Sequence, residues 1–451
     1  MEQPPVKLQT QLVTPTAARS RRVASVPSTT LLPISSVLIW IGLFTVAWDR
    51  FGTFQVGSFN VKVPTIMFAL GLALTITDRS FIGRIRGKRQ QIVVLLFLTV
   101  AFYTAIGFAA TNVLYAQLQT VTVIIGAVIP FLAVYLNIRL FGSLDQALTA
   151  FIRGGWFAAI FGLYQLAAFY TGLPQVVSYE ARGGGLGRIS SFTYESGYFG
   201  YFMILVLAAL FARATLRQEL VSVPHVVFFL LVLALANTRA AYLTIPLLFL
   251  LLFWRWPEKR TRPKLVGWAF VLGIAALIFA LLSPSVVAVI AQRAASLFDP
   301  TETTSNAPRL AANLSSINII GDNFWTGIGA GNLIDVAPSY GRAVYAGATS
   351  NSFIANNVYL QAMLDGGILL LLLQLLIVFI AVRTFYRRHY PASRALMAGW
   401  LAAFIVASFI TSYFWDMKLW VILAIAAAAH SIAPQDLQGG TTRKTTVVSP
   451  R

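Results

Sequence analysis

Long apolar runs separated by short polar stretches dominate the chain between Leu31 and Ile432. They fall at about Leu31–Trp48, Val61–Thr77, Gln91–Ala110, Leu118–Asn137, Ala150–Tyr170, Tyr198–Ala212, Val223–Ala236, Ala240–Trp254, Leu265–Leu282, Val358–Val382, Ala395–Tyr413 and Met417–Ile432. A helix needs about 20 apolar residues to cross bilayer hydrocarbon, and these runs have spanning or near-spanning length. The pattern predicts about twelve helices, although the short pair around Asn237-Thr238-Arg239 reads equally as one broken or tilted element. Two polar stretches interrupt the rhythm, Thr171–Gly197 and, between the ninth and tenth runs, Ser283–Asn357. A structureless connection as long as the second is uncommon. Its amphipathic patches, Ser285–Phe298 and Leu310–Ile320, predict short helices on or near the bilayer.

Composition turns this pattern into a fold class. Of 451 residues, 57% are hydrophobic and 11% charged, with a mean hydropathy of +0.74. A soluble domain is about 45–50% apolar and about 25% charged. The chain therefore reads as an all-α polytopic membrane protein with a large non-cytoplasmic loop. Residues 1–30 are polar, basic and rich in Pro, Ser and Thr, which predicts a disordered tail rather than a cleaved signal peptide. Residues 31–432 form the transmembrane domain, and residues 433–451 a second tail. The absence of cysteine excludes disulfides and thiolate chemistry. His225, His389 and His430 are scattered and lack metal-ligand spacing, so neither metal nor cofactor is expected.

A net charge of +19 would suit nucleic acid, but the charges follow topology instead. With the N-terminus inside, the predicted cytoplasmic segments hold most of the 34 Lys and Arg, in clusters such as Arg84-Arg86-Lys88-Arg89, Arg255-Lys259-Arg260-Arg262-Lys264 and Arg383-Arg387-Arg388-Arg394. This is the positive-inside rule. It predicts two cytoplasmic termini and no nucleic-acid partner.

The exceptions carry the candidate chemistry. Arg182 and Arg188 lie in the first long outer loop, Arg239 in the tight turn, and Arg293, Arg309 and Arg342 in the second loop. Guanidinium holds phosphate oxygens in a bidentate fork, so several converging near a membrane would receive a lipid-linked phosphate. Alternatively each pairs with an outer acid: Asp49, Glu180, Glu195, Asp299, Glu302, Asp322, Asp335 or Asp416. The first loop reads "RGGGLGRISSFTYESGYFGYF", with flexible glycines, then Arg188, then Glu195 just before a helix. That carboxylate either favours the helix N-terminus electrostatically or acts as a base. In the second loop "WTGIGAGN" carries Gly329 and Gly331, whose bare backbones permit close approach of a ligand. Next, Asn357, Gln361 and Asp365 share one helix face. A polar stripe entering a membrane helix has to face either a cavity or partner helices. Outer aromatics such as Tyr194 and Trp325 either stack on sugars or anchor at the interface.

At these residues the sequence resembles the O-antigen ligase and polymerase superfamily, membrane enzymes that transfer glycans from a polyprenyl-diphosphate carrier. The likeness rests on Arg188 followed by "SFTYESGYFGYF", on "NTRAAYL" at Asn237–Leu243, on "APRLAANLSSINIIGDNFWTGIGAGN", and on "NNVYLQAMLDGGILLLL". Where ligases commonly carry histidine ahead of the second asparagine, this chain has Asn356. That favours a polymerase of O-antigen, exopolysaccharide or a similar repeat-unit glycan over a ligase. A transporter of an anionic lipid or solute is the competing class, but no paired halves with matching interrupted helices are visible. The resemblance implies metal-independent transfer between a polyprenyl-diphosphate-linked oligosaccharide and a glycan acceptor, with membrane lipid and a chain-length regulator as further partners. Arg188, Arg239 and Arg309 are expected to stabilise the departing diphosphate. Glu195 is the first candidate base and Asp365 the second. Arg182, Asn356, Asn357, Gln361, Asp365, Gly329 and Gly331 are expected to bind substrate at the outer face of a bacterial inner membrane.

Overall fold

Helices occupy the predicted apolar runs within the described residues. The computed structural model describes residues 33–56, 59–77, 91–177, 187–236, 238–254, 306–340, 355, 357–386, 390–409 and 414–431. The elements below all lie within one unit, Ile34–Arg451. In chain order they are α1 (Ile34–Thr45), a two-stranded antiparallel hairpin of β1 (Phe54–Val56) and β2 (Phe59–Val61), α2 (Val63–Thr77), α3 (Gln91–Phe108), α4 (Val113–Val123), a π-helical turn (Ile124–Val128) and α5 (Ile129–Phe141). There follow α6 (Leu144–Thr171), α7 (Ser196–Leu216), α8 (Val223–Leu235), α9 (Arg239–Trp254), α10 (Asn306–Asp322), α11 (Leu333–Val336), a 3-10 turn (Ala337–Tyr340), α12 (Val358–Phe385), α13 (Pro391–Ser408) and α14 (Met417–Ser431). The expected ninth span, Leu265–Leu282, and the patch Ser285–Phe298 lie outside the described residues.

Among the described residues, six helices are long and apolar enough to cross a membrane: Gln91–Phe108, Val113–Phe141, Leu144–Thr171, Ser196–Leu216, Val358–Phe385 and Pro391–Ser408. Shorter apolar helices accompany them. The protein is an all-α polytopic membrane protein apart from the small hairpin.

Helices α7, α13 and α14 form the centre and are buried on nearly every side. Lipid tails are as apolar as leucine, so helices in a bilayer associate through close packing of small residues. Gly399 of α13 rests on Ala208 of α7, Gly155 of α6 on Val206, and Gly154 on the carbonyl of Phe44. A polar chain ties the periphery: the Asn137 amide donates to Ser36 Oγ (2.8 Å), and Ser143 Oγ donates to Asn137 Oδ1 (2.9 Å). Helix α5 stops at Gly142, whose φ of +64° suits glycine. The π turn lets Gly126 approach the backbone of Trp415, just ahead of α14. On α12, Leu369, Leu372, Leu376 and Phe379 stay exposed at helical spacing, a stripe suited to lipid.

Arg394, counted by sequence among the positive-inside clusters, is buried. It donates to the Leu252 carbonyl near the end of α9 (3.3 Å) and lies over the Tyr386 ring.

Candidate functional site

The segment Gly187–Glu195 is fixed from below by one glutamine. Gln165, buried in α6, accepts the backbone N–H groups of Ser190 (3.1 Å) and Ser191 (2.9 Å) and donates to Ser190 Oγ (3.3 Å). Ser191 has a φ of +52°, unusual for a residue with a side chain, and its hydroxyl donates to the Ala158 carbonyl (2.7 Å). The ring of the next residue, Phe192, stacks on Phe161 with centroids 4.0 Å apart. The Phe192 carbonyl accepts from the N–H groups of Asp49 (3.0 Å) and Arg50 (2.9 Å). Thr193 Oγ1 lies 2.7 Å from the Ser190 carbonyl and 2.8 Å from that of Glu195. Arg188, half-buried, leads into this segment. Glu195 ends it, exposed at the N-cap of α7 and making no side-chain cap bond.

Beside the segment sits an ionic cluster. Asp49 receives Lys62 (2.6 Å) on one oxygen and Lys418 (3.0 Å) on the other, and Lys418 also pairs with Asp416 (3.1 Å). Asp49 and Lys418 are buried, with side-chain exposures of 3% and 5%. Burial opposes the charge on Asp49, yet Lys418 and Lys62 outweigh it and hold the carboxyl below its ordinary range. The lysines also meet aromatic rings, Lys62 at 4.9 Å from the Tyr194 centroid and Lys418 at 6.0 Å from that of Tyr198. A cavity lined by Tyr198, Tyr201, Asp416 and Lys418 among apolar neighbours adjoins the cluster. Two acids that sequence offered as arginine partners, Asp49 and Asp416, thus serve lysines.

The second polar system lies on α12. Asn357 caps that helix, its side chain accepting from the N–H groups of Tyr359 (2.9 Å) and Leu360 (3.1 Å). Gln361 accepts from the N–H of Ala355 (3.0 Å) and donates to Asp365 Oδ1 (2.7 Å). Tyr103 of α3 donates to Asp365 Oδ2 (3.4 Å) and accepts from Trp415 Nε1 (3.2 Å). The polar stripe therefore faces a neighbouring helix, and Asp365 is buried within the seam.

At the next residue, α12 breaks. Gly366 and Gly367 leave helical geometry, Gly367 at φ +65° and ψ −162°. The glycine-rich loop after α10 fills the break: the Ile328 N–H donates to the Leu364 carbonyl (2.7 Å), and the Ile368 N–H donates to the Phe324 carbonyl (3.0 Å). Backbone groups at membrane depth need such partners. Gly329 and Gly331, both at positive φ, lie against Ala110 and Tyr115 at the α3–α4 turn. Asn332, fully buried, accepts from the Asn112 N–H (2.8 Å) and fixes the same contact. The Gly331 backbone amide also faces the Asp365 carboxyl.

Arg239 begins α9 and Arg309 lies in the first turn of α10; their side chains, together with Arg182 and Asn356, lie outside the described residues. Consecutive residues Trp415 and Asp416 join the two polar systems, the first through Tyr103 and the second through Lys418. Sequence reasoning missed Gln165, Tyr103, Trp415 and the Asp49–Lys418 pair. Gln165 gave a usable signal, an amide amid the apolar run of α6, because such a side chain needs an internal partner. Among the described residues, no group of three or more His, Asp or Glu side chains converges as a metal would require.

Residues 224–375 match the family profile described as O-antigen ligase. No curated protein matches the chain. The match supports the O-antigen ligase and polymerase superfamily to which the motifs point. Three of the four motif regions fall inside it, and the Arg188 segment precedes it. With the apolar helices, it indicates a multi-pass protein of the bacterial inner membrane and an enzyme of the O-antigen ligase type. Lipid-linked glycan and an acceptor are the substrates this family implies.

Proposed function

We propose that this O-antigen ligase-type membrane enzyme polymerises repeat-unit oligosaccharides carried on polyprenyl diphosphate. An acceptor sugar hydroxyl attacks the anomeric carbon of the carried glycan. The bond from that carbon to the diphosphate oxygen breaks, and its electron pair leaves with the diphosphate. Arg188, Arg239 and Arg309 stabilise the negative charge that develops there, and Glu195 takes the hydroxyl proton. Arg182, Asn356, Asn357, Gln361 and Asp365 shape the surrounding site, with Gly329 and Gly331 holding its loop against α3 and α4.

The observation that carries this reading is the fixation of Gly187–Glu195. Arg188 and Glu195 bracket a segment held by Gln165 and by the Asp49 and Arg50 amides. Electrostatic stabilisation of a leaving group depends on charges already in place before reaction. In this reading the site faces outward, both termini are cytoplasmic, residues 31–432 form the catalytic unit, and apolar helices hold the prenyl tail. A chain-length regulator would act on this unit.

The test is reconstitution with a polyprenyl-diphosphate oligosaccharide in the presence of chelator, followed by product sizing. Wild-type protein extends the glycan. Arg309→Ala remains in the membrane and loses elongation, by about 10²–10³ in rate for one such donor. Unchanged glycan length in that variant refutes the catalytic arginine. A ligase would use the same site but transfer finished chains, and its deletion would strand long chains on the carrier lipid. Deletion of a polymerase leaves single repeat units on their acceptor.

A further inference from the structure

Four charged side chains outside every motif form a cluster beside the segment that joins Arg188 to Glu195. They come from three separate parts of the chain: Asp49 after α1, Lys62 between β2 and α2, and Asp416 and Lys418 at the start of α14. The group is electroneutral, so it offers no net charge to an anionic ligand. Burying Asp49 and Lys418 costs several kcal/mol per ion before pairing offsets it. Ion pairs of this kind are often no more stabilising than apolar packing, so stability alone does not account for the cluster.

Its geometry gives a reason. The residue that carries the central carboxylate also donates its backbone N–H to the Phe192 carbonyl, and its neighbour Arg50 does the same. The Lys62 ammonium that rests on Asp49 covers the ring of Tyr194, next to Glu195. Lys418 reaches the ring of Tyr198, in the first turn of α7. The arms through Asp49, Lys62 and Lys418 thus end on the segment or on the helix that Glu195 caps.

We infer that Asp49, with Lys62 and Lys418, is a positioning device for glycan transfer, fixing Gly187–Glu195 so that Arg188 and Glu195 keep a constant separation. This rests on the glycan-transfer reading and adds residues to it. Asp49 does not touch substrate; it acts through the backbone of Phe192 and the ring of Tyr194. Misplacing a reacting group by about 1 Å costs on the order of 10²-fold in rate. Loosening the segment therefore lowers turnover while leaving donor affinity nearly intact.

The experiment uses the full chain in a membrane mimetic, with kcat and KM for a polyprenyl-diphosphate oligosaccharide and amide hydrogen exchange over residues 187–195. Asp49→Asn is expected to lower kcat about 10–100-fold with KM little changed, and to speed exchange across the segment. Asp49→Glu restores part of both. Wild-type exchange in Asp49→Asn, or faster exchange with wild-type kcat, overturns the inference. Should Asp49→Asn fail to fold, Lys62→Met decides, because its side chain is one-quarter exposed and its loss leaves the Asp49–Lys418 pair in place. Faster exchange around Tyr194 with reduced kcat supports the inference, and no change in either defeats it. Failure of the underlying reading looks different: Arg188→Ala then transfers glycan at the wild-type rate. Failure of the inference alone leaves Arg188→Ala inactive while Asp49→Asn and Lys62→Met behave as wild type.

Discussion

Ile328 donates its backbone N–H to the carbonyl of Leu364 across 2.7 Å, filling a gap in a membrane-spanning helix with a residue from a distant loop. A second bond, from Ile368 to Phe324, closes the other side of the gap. The break and the loop are one structural unit.

Gly367 is where that unit is least tolerant. Its φ and ψ fall in a region essentially restricted to glycine, and an added Cβ would strike the Trp325 carbonyl. Gly367→Ala is expected to destabilise the protein by at least about 1–3 kcal/mol, seen as a lower Tm in detergent. Gly142→Ala is the control. Its φ is also positive, but nothing lies within 4 Å of the added carbon, so the loss is confined to about 1–2 kcal/mol of backbone strain. Equal effects at the two positions would contradict the plugged break.

Gln165→Leu keeps the volume of α6 but strips the acceptor from two buried amides, those of Ser190 and Ser191. An unsatisfied buried group costs about 1–3 kcal/mol. Amide exchange at these two residues should accelerate more than exchange along α6. If it does not, the loop is held by other means.

The two candidate bases separate by substitution. Glu195 is exposed and makes no cap bond, whereas Asp365 already accepts from Gln361 and Tyr103 in a buried seam. Glu195→Gln is expected to lower kcat by about 10²–10⁴, the usual contribution of a general base. Asp365→Asn should cost less than tenfold, roughly, because an amide can retain most of the seam's hydrogen bonds. The reverse ranking would move the base to Asp365.

Acid should weaken the Asp49 cluster. Because its carboxyl is held below the ordinary value of about 3.9, the native state binds protons less readily than the unfolded chain. The stabilisation is complete above that value and is lost as pH falls through the native pKa. Thermal unfolding should show a Tm steady from about pH 7 to 5 and falling below about pH 4. Asp49→Asn should begin lower and fall less steeply; identical slopes would remove Asp49 from the acid response.

Most helix positions were legible because the length of an apolar run is a local property of the chain. Boundaries were less so. The run expected from Leu118 begins at Val113, since its first turns include Gln117, a polar residue that the apolar pattern left outside. In the fold Gln117 donates to the Thr104 carbonyl, and Gln119 lies beside Gly331. The order of Arg188, Glu195 and the glycine loop was also legible as a local pattern. Their supports were not. Asp49 and Lys418 are 369 residues apart in the chain, and nothing local marks either as the other's partner. The break in α12 at glycines 366 and 367 was not read from the sequence, and which loop would fill it was a matter of tertiary folding.

The fastening at Ile328 and Leu364 also sets what this architecture can vary. Apart from the Gly329–Asn332 contact with the α3–α4 turn and the first turns of α12, the chain between those two residues returns to a fixed neck, so its length is uncoupled from the register of the spans. Doubling such an excursion adds only about 0.6 kcal/mol of closure entropy. The neck itself has no slack, since removing one residue between Phe324 and Ile328 would forfeit one bond or the other. Diversity of recognition can therefore accumulate by insertion beyond the neck while the membrane scaffold stays unaltered.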